Sequence, residues 1–521
     1  MAERFRVTYA TLSADNEDLQ AAYEEGLRTA RSWFGSTLPS VISGEERTNG
    51  EMFEVHSPVD TSVLLATVYS ATTAEVDEAV AAAAKAAPSW AATPWQDRIA
   101  ILRKAGDLIS DRVNELAALM SMEVGKNRLE ALGDIEESAV FFRYYSDQME
   151  KNNGFDLPMD TITPTETTRS VMRPYGVWGV ISPFNFPMAL AAGPTAGALV
   201  AGNTVVLKPS PQGSFSAHKL YECLRDAGVP EGVVHVVNGG DDIGKALVAN
   251  PGVDGLTFTG SYSVGMSIYK AFATAYPKPV VCEMGGKNPA IVSRKADLET
   301  AATGIARSAF GFSGQKCSAC SRVYVERDLY EPLLEALADK ATSVEVGDPT
   351  HRTVFVGPVI DEDAVKRFEA AVAHAQEVGR VVAGGEVIGK NPAGAMGHYV
   401  APTVVTGMPV DDKLFQDELF VPFVAVAPVD SIDEAIRLSN DTDLGLTAGF
   451  FSADDAEVDQ FLNSIEAGVV YVNRAAGATT GAWPGVQPFG GWKGSGTGGK
   501  AGGGLYYVQQ FLREQSQTVV A

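Results

Sequence analysis

The sequence predicts an α/β protein in which mostly parallel sheets are flanked by helices on both faces. Short apolar runs rich in Val, Ile and Phe end in glycine, proline or polar turn residues, and a helical stretch follows most of them. These runs fall into two series, and a helical region precedes the first series. At 521 residues the chain exceeds one ordinary domain, and about 150 residues per domain suggests two to four domains.

The region before the first series carries helical patterns. Segment 72–87 opens with a capping box, Thr72 with Glu75, and then places apolar residues at helical spacing. We expect Pro88 to end this helix. Segments 95–127 and 130–150 continue the helical pattern.

The strand runs come next. The first series is GVWGVIS (176–182), NTVVLKP (203–209), GVVHVVNG (232–239) and GLTFTG (255–260). The second is PAIVS (289–293), SRVYVE (321–326), FVAVAPV (423–429), TAGFFS (447–452) and GVVYVNR (468–474). The chain ends in a predicted edge strand, a type that often pairs with another subunit.

Charge and hydropathy exclude several classes of protein. The 65 acidic and 41 basic residues give a net charge of −24, and no basic stripe occurs, which argues against nucleic acid as a partner. Residues 175–207 carry no charge, yet three prolines and two asparagines make a buried strand–loop–helix unit a better interpretation than a membrane span. Because the first ten residues lack the pattern of a signal peptide, we expect a soluble, cytoplasmic protein.

Two of the four cysteines, Cys317 and Cys320, lie close together in FGFSGQKCSACSR (310–322). A zinc site would need a second Cys or His pair at ligand spacing, and none lies nearby, so no metal is expected. A redox pair would open a helix in a small thioredoxin-like unit, and this chain is not one. The polar company of Cys317 favours a nucleophile over a core residue, whereas Cys320 has the apolar setting of a core residue.

Glycine loops offer candidate phosphate sites. In GLTFTGSYSVG (255–265), Gly260 and Gly265 are predicted in a turn before a helix, where exposed amides and Ser261 could hold a pyrophosphate. The spacing is not that of the common dinucleotide fingerprint. A competing loop, NGGDDIG (238–244), carries two aspartates that would repel phosphate. Lys208 follows an apolar strand, where a ligand contact and a structural role are equally plausible.

A series of motifs resembles the aldehyde dehydrogenase superfamily in the order that this family shows along almost the whole chain. They are SPFNFP (182–187), NTVVLKPS (203–210), FTGS (258–261), EMGGKNP (283–289), GQKC (314–317), DELFVP (417–422), NDTDLGLTAG (440–449) and QPFGGWKGSG (487–496). The resemblance implies a Rossmann-like dinucleotide-binding domain, an α/β catalytic domain and a small β oligomerisation flap.

The resemblance also implies roles at the catalytic centre. Cys317 would attack the aldehyde as a thiolate and pass through a thioester, and Asn185 with the Cys317 backbone N–H would stabilise the oxyanion. Glu283 would activate the water that releases the acid. Taken singly, Asn185 between two prolines could only cap a turn.

NAD or NADP is the implied cofactor. Its ribose and phosphate contacts would come from Lys208, Ser210, Gly260, Ser261 and Glu418, with Phe420 beside the nicotinamide ring. On its own, Glu418 could be a surface acid and Phe420 a core residue.

Three positions depart from the family pattern. Phe184 stands where Trp is usual and Val421 where Gly is usual. Pro211 stands where many NAD-preferring members have a Glu that binds the adenosine ribose. Without that acid a 2′-phosphate meets less repulsion, so NADP is expected to be used well.

Further similarities narrow the choice of substrate. EVGKN (123–127), GQKCSACSR (314–322), GAWPGVQPFGG (481–491) and the long N-terminal arm (33–46) resemble the pyrroline-5-carboxylate dehydrogenase branch, which oxidises glutamate semialdehyde to glutamate in proline catabolism. That branch implies that Ser318, Gly481 and Ala482 bind the substrate carboxylate and that Glu137 faces its ammonium group. Against this branch, the stretch before Glu283 is shorter than usual.

Other functions stay open at this level. Succinate or 2-oxoglutarate semialdehyde is the alternative substrate, and a non-catalytic family member or a cofactor-free thioesterase is a more distant alternative. We expect a homo-oligomer. The predicted domains are 1–151 with 174–284 for the dinucleotide, 285–486 for catalysis, and 152–173 with 487–521 for oligomerisation.

Overall fold

The computed structural model describes residues 15–521; the N-terminal residues in which no signal peptide is predicted, and the start of the first predicted domain, lie outside this range. Within it the chain forms fifteen α-helices. They are α1 Glu17–Arg31, α2 Thr73–Ala92, α3 Trp95–Asp111, α4 Val113–Val124, α5 Arg128–Lys151, α6 Ala189–Ala201, α7 Ser214–Ala227, α8 Asp241–Ala249, α9 Tyr262–Phe272, α10 Leu298–Phe310, α11 Arg327–Ser343, α12 Glu362–Val378, α13 Lys413–Gln416, α14 Ile432–Asn440 and α15 Asp455–Ser464.

The same range contains 22 strands. They are β1 Ser36–Leu38, β2 Ser40–Ile42, β3 Glu45–Arg47, β4 Met52–His56, β5 Leu64–Tyr69, β6 Asp156–Pro158, β7 Glu166–Pro174, β8 Val177–Ser182, β9 Thr204–Pro209, β10 Val234–Val236, β11 Gly255–Thr259, β12 Val280–Glu283, β13 Asn288–Val292, β14 Cys320–Glu326, β15 Arg380–Ala383, β16 Thr403–Thr406, β17 Phe423–Val429, β18 Leu444–Gly445, β19 Thr447–Phe451, β20 Val469–Val472, β21 Trp492–Lys493 and β22 Leu512–Val520.

Two seven-stranded sheets organise the chain. The first has the order β12-β11-β8-β9-β10-β2-β3, and its five strands from β8 to β12 are parallel. The second has the order β15-β16-β17-β14-β13-β19-β20, in which only β15 pairs antiparallel. Strands β8 and β9 are buried along their whole length, as strands of a parallel sheet covered by helices must be. The α/β fold predicted from the strand–helix alternation is therefore confirmed.

A smaller three-stranded sheet has the order β22-β7-β6. Strand β22 pairs antiparallel with β7 over nine residues of each, from Leu512–Pro174 to Val520–Glu166. Its strands come from both segments predicted for oligomerisation, 152–173 and 487–521, although residues 487–511 lie outside the sheet. The domain boundaries themselves stay a prediction.

Several local predictions hold. Thr72 and Glu75 form the capping box of α2, and the uncharged run 175–207 forms β8, a loop, α6 and β9. No helix of residues 15–521 combines the length and apolarity needed to cross a bilayer.

Three local predictions were wrong. Pro88 does not end α2, which continues to Ala92. A proline inside a helix removes one backbone hydrogen bond, and the packing of the helix can compensate for that loss. Gly265 lies inside α9 rather than in the turn before it, since Ser261 already caps this helix. Lys208 does not follow a strand but is part of β9.

Candidate active site

Most of the predicted catalytic and substrate residues surround one chamber of about 400 Å³. Its wall contains Cys317 and Ser318 from the loop before β14, Glu283 from the end of β12, and Glu137 from α5. Gly481 and Ala482 contribute from the loop after β20. The chamber therefore joins residues that the sequence separates by more than three hundred positions.

The loop that carries Cys317 has an unusual backbone. Phe312, Ser313 and Gly314 have φ angles of +49°, +54° and +68°. Residues other than glycine rarely adopt this left-handed backbone conformation. Contacts on both sides hold this conformation. The Ser313 hydroxyl donates to Gly357 O at 2.7 Å, and a Cβ at Gly314 would lie 2.2 Å from Val421 O. Backbone strain of this kind is often found at functional sites.

Cys317 is partly buried in the wall of the chamber, and its surroundings disfavour the thiolate. Burial raises the pKa of the thiol to about 12, and the nearby carboxylates of Glu418 and Glu283 add to this rise. The backbone N–H groups of Ser318 and Cys317 act in the opposite direction, because they stabilise the thiolate. Cys320 is 1% exposed and sits in the apolar core of the second sheet, as its sequence setting predicts.

Two glycines allow close approach of the backbone beneath the nucleophile. A Cβ at Gly286 would lie 2.5 Å from Cys317 O, and one at Gly285 would lie 2.1 Å from a carboxylate oxygen of Glu418. The Gly286 N–H donates to Glu418 at 2.9 Å. The glycine pair of the EMGGKNP motif is thus required by packing, whatever else the motif does.

Asn185 is buried in the loop between β8 and α6. Its side-chain amide donates to Gln315 O at 3.1 Å, so it lies against the loop that carries Cys317. The Gln315 side chain in turn accepts from Ile360 N at 2.8 Å and donates to Pro358 O at 3.3 Å. The structure therefore places the Asn185 amide against the loop that carries Cys317, and its role toward an oxyanion stays a prediction.

Glu283 lines the chamber, and its carboxylate lies close enough to Cys317 to raise the pKa of the thiol. Burial raises the pKa of this carboxyl to about 8, and only a backbone N–H of Gly491 opposes the rise. Its Oε2 atom is buried without a hydrogen-bond partner among the described residues. A buried carboxyl with spare acceptor capacity and a pKa near neutrality is suited to accept a proton from water.

Glu137 of α5 is a partly buried acid in the wall of the same chamber. Burial raises its pKa to about 8, the nearby Asp134 adds to the rise and Lys126 opposes it. Ser318, Gly481 and Ala482 also line this chamber. The φ of Gly481 is +124°, which favours glycine at that point of the loop.

Sequence reasoning missed three residues of the same chamber. Lys316 forms an ion pair with Glu130, Arg474 donates to Gly477 O at 3.2 Å and to Thr480 O, and Phe186 adds an aromatic ring. Lys316 directly precedes Cys317 in GQKC, and Arg474 ends the strand run before the loop of Gly481. These positions in the sequence were the available signal for the two cations.

A second cleft, of about 770 Å³, lies at the ends of β9 and β11. Lys208, Ser210, Pro211 and Ser261 line it, and so does Asp241 from the competing glycine loop. Burial lowers the pKa of Lys208 to about 8, while Asp241 and Asp242 act to raise it. Ser261 caps α9, whose N-terminus points a positive dipole end at this cleft. Its size and polar groups fit a dinucleotide.

Three predicted cofactor residues do not line this cleft: Gly260, Glu418 and Phe420. The Gly260 N–H donates to Glu283 O at 3.1 Å and so is already used. Glu418 lies beside the catalytic loop instead, where burial raises its pKa to about 7. Phe420 has a φ of +59° and meets the ring of Phe184 edge-on at 6.0 Å. Among residues 15–521 no three His, Cys, Asp or Glu side chains form a group that could hold a metal ion.

Comparison with known proteins agrees with this geometry. Residues 45–517 match the model of the aldehyde dehydrogenase family. The 1-pyrroline-5-carboxylate dehydrogenase of Geobacillus sp. strain WCH70 is 37% identical over 504 residues, which cover 96% of this chain and 95% of that protein. Two solved structures are also similar. The Thermus 1-pyrroline-5-carboxylate dehydrogenase with bound NAD has a TM-score of 0.93 at 34% identity and full coverage of both chains. An NADP-dependent enzyme of E. coli has a TM-score of 0.87 at 32% identity, covering 94% of this chain and 99% of the other. The chain belongs to the aldehyde dehydrogenase family.

Proposed function

We propose that the protein is a 1-pyrroline-5-carboxylate dehydrogenase, which oxidises glutamate semialdehyde to glutamate with NAD or NADP. The observation that carries this proposal is the chamber itself. Its wall combines the thiol of Cys317 and the carboxyl of Glu283 with the carboxyl of Glu137 and the backbone of Gly481 and Ala482. Such a chamber suits a substrate with an aldehyde at one end and an amino acid group at the other.

The residues of the chamber support a complete reaction. Cys317 attacks the aldehyde carbon as a thiolate, and the Asn185 amide with the Cys317 N–H stabilises the oxyanion as its charge develops. A bound nicotinamide cofactor would supply the acceptor for the two electrons and the hydrogen that leave the carbon attached to Cys317. Glu283 then takes a proton from water, which attacks the thioester and frees the acid together with the Cys317 thiolate.

The cofactor would be held by Lys208, Ser210 and Ser261 in the second cleft. Glu418 is proposed to hold the nicotinamide ribose, because its carboxylate lies between the Gly285–Gly286 backbone and the cysteine. Phe420 is proposed to pack beside the ring. The cleft and the chamber adjoin at Thr259 of β11, which lines both, so a cofactor held in the cleft would extend toward the chamber.

Glu137 distinguishes the proposed substrate from the alternatives. Succinate and 2-oxoglutarate semialdehydes carry a carboxylate but no ammonium group, so a buried carboxyl at Glu137 offers them no ionic partner. A hydrogen bond to a charged group contributes about 1.5–3 kcal/mol, or about tenfold or more in affinity. The acid at this position therefore favours an amino acid semialdehyde.

The test is a panel of semialdehydes, assayed with NAD and NADP on the wild type and on Glu137→Gln. We expect kcat/KM to be highest for glutamate semialdehyde, and Glu137→Gln to raise KM for that substrate by about tenfold. The KM for succinate semialdehyde should not rise. A higher kcat/KM for succinate or 2-oxoglutarate semialdehyde in the wild type would replace the proposal with that substrate.

We also propose that the sheet of β6, β7 and β22 pairs with a second copy of the chain. Strand β22 lies at one edge of this sheet and has unpaired backbone groups. Apolar side chains are exposed on the flap: Met159, Ile162, Val519 and Val520. Solvent exposure of so many apolar groups on one small sheet favours burial in an oligomer.

A further inference from the structure

A fully buried ion pair borders the chamber, whose wall includes Asp134, and the proposed reaction does not use it. Lys126 Nζ donates to Asp134 Oδ2 at 2.6 Å, and both side chains are 0% exposed. Removing two charges from water costs several kcal/mol per ion, so a buried pair is weak support for stability. The pair lies next to the loop that carries Asn185 and the loop that leads to Cys317, and this position indicates another role.

The ammonium group of Lys126 contacts an aromatic ring from each of the two loops. Nζ lies 3.3 Å from the ring centroid of Phe186 and 4.9 Å from that of Phe312. Phe186 directly follows Asn185, and Phe312 is the first left-handed residue of the loop that leads to Cys317. A desolvated cation is attracted by the negative face of an aromatic ring, so both rings hold the ammonium group in place.

Asp134 completes the link. Its other oxygen, Oδ1, accepts from Ala189 N at 2.8 Å, and Ala189 begins the helix that follows the Asn185 loop. The Asn185 loop is therefore held at Phe186 by the cation and at Ala189 by the carboxylate. The Asn185 side chain itself crosses to the other loop, where it donates to Gln315 O.

We propose that Lys126 is a positioning residue for the oxyanion site, an inference that rests on the proposed reaction. Its buried ammonium group fixes the loop of Asn185 against the loop of Cys317, so that the amide and the thiol keep their relative placement. This role gives a function to the EVGKN segment (123–127), for which the sequence shows a similarity to one branch of the family but predicts no chemical role. A displacement of about 1 Å at a reacting group can lower the rate by about a hundredfold.

The test compares a neutral double variant, Lys126→Met combined with Asp134→Asn, to the wild type. The asparagine that replaces Asp134 keeps an oxygen for the Ala189 N–H, and no unpaired charge is buried, so we expect the variant to fold. The assay follows the first-turnover burst of reduced cofactor, with whichever aldehyde the wild type oxidises best. Failure of glutamate semialdehyde as a substrate is then separate from failure of this role.

We expect the burst rate of the double variant to fall by about ten- to a hundredfold, with cofactor affinity changed less than about twofold. The specific readout is the dependence on Asn185. Asn185→Ala should lower the burst by about a hundredfold or more in the wild type, but by less than about fivefold in the double variant, because the amide is already misplaced there. Lys219→Met is the matched control, since Lys219 also lies over aromatic rings but is paired with Glu222 outside the chamber.

A burst within about threefold of the wild type, or an undiminished effect of Asn185→Ala in the double variant, would overturn the proposal. If the double variant does not fold, Phe312→Leu answers the same question by removing one ring that the cation contacts. It should lower the burst and weaken the effect of Asn185→Ala. A full effect of Asn185→Ala in Phe312→Leu would again overturn the role of Lys126.

Discussion

The side-chain amide of Asn185 and the carbonyl oxygen of Gln315 are joined by a hydrogen bond of 3.1 Å across two loops. Because the Gln315 carbonyl offers an acceptor, the group that faces it must be the Asn185 nitrogen. One of its two hydrogens is used in this bond, and the other is free to donate to an oxyanion formed at Cys317. The same bond therefore orients the amide and ties it to the nucleophile.

Replacement of Asn185 tests this orientation. Asn185→Ala should lower the rate of the first-turnover burst by about a hundred- to a thousandfold, the usual effect of losing an oxyanion donor. Asn185→Asp should be at least as slow, because a carboxylate repels both the Gln315 carbonyl and the developing oxyanion. Rapid-mixing measurements of reduced cofactor would check both variants, and a burst in Asn185→Asp equal to that of the wild type would contradict the assignment.

The two neighbouring cysteines should differ sharply. Cys317→Ala should abolish aldehyde oxidation while the cofactor still binds, because no other thiol lines the chamber in the described part of the chain. Cys320→Ala should keep most of the activity and lose some stability, since this side chain fills the core of the second sheet. Steady-state assays with cofactor titration separate these effects, and substantial turnover by Cys317→Ala would exclude the mechanism.

Glu283→Gln should separate the two halves of the reaction. It removes a carboxylate that raises the pKa of Cys317, so the first-turnover burst should survive, but it also removes the base for deacylation, so the steady-state rate should collapse. The base works only when ionised. With its pKa raised to about 8, the wild-type deacylation rate should rise as pH increases through 8 and level off above it. An unchanged steady-state rate in Glu283→Gln would assign the base to another group.

Sequence patterns predicted the strands more completely than the contacts of the side chains around the site. Apolar runs such as 204–209 are buried along their whole length in the structure, so they could be predicted as strands of a covered parallel sheet. The helix through Pro88 could not, because its continuation depends on tertiary packing. Lys126 and Arg474 act through contacts with distant segments or loop backbone, such as Phe312 and Thr480, and no local spacing reports those contacts.

Assembly is predicted from the flap sheet. Light scattering of the full chain in salt should show a dimer at least, with a tetramer or a hexamer as larger possibilities. A charged pair of substitutions on the exposed flap, Val519→Asp with Ile162→Asp, should lower the assembly state because both side chains are exposed here, at 65% and 91%. Val387→Asp is a matched control on another exposed apolar side chain. A wild-type protein that is monomeric at assay concentration would refute the prediction.

Cofactor choice depends on Pro211. In the second cleft Pro211 lies with Ser210, Gln212 and Lys208, and its side chain offers neither a charge nor an acceptor to the adenosine ribose. An acid at this position would bind the ribose hydroxyls and repel a 2′-phosphate. Losing a hydrogen bond to a charged group is worth about 1.5–3 kcal/mol, enough to remove a roughly tenfold preference for NAD.

We therefore expect NADP to be used with a kcat/KM comparable to or above that of NAD, and Pro211→Glu to shift the ratio toward NAD by about tenfold or more. Asp241 lines the same cleft and opposes a 2′-phosphate, so Asp241→Asn should shift the ratio the other way. Steady-state titrations of both cofactors with one aldehyde would measure these ratios. A wild-type enzyme that uses NAD at least about a hundredfold better than NADP would show that an uncharged residue at 211 does not decide the preference, and that Asp241 is the dominant charge.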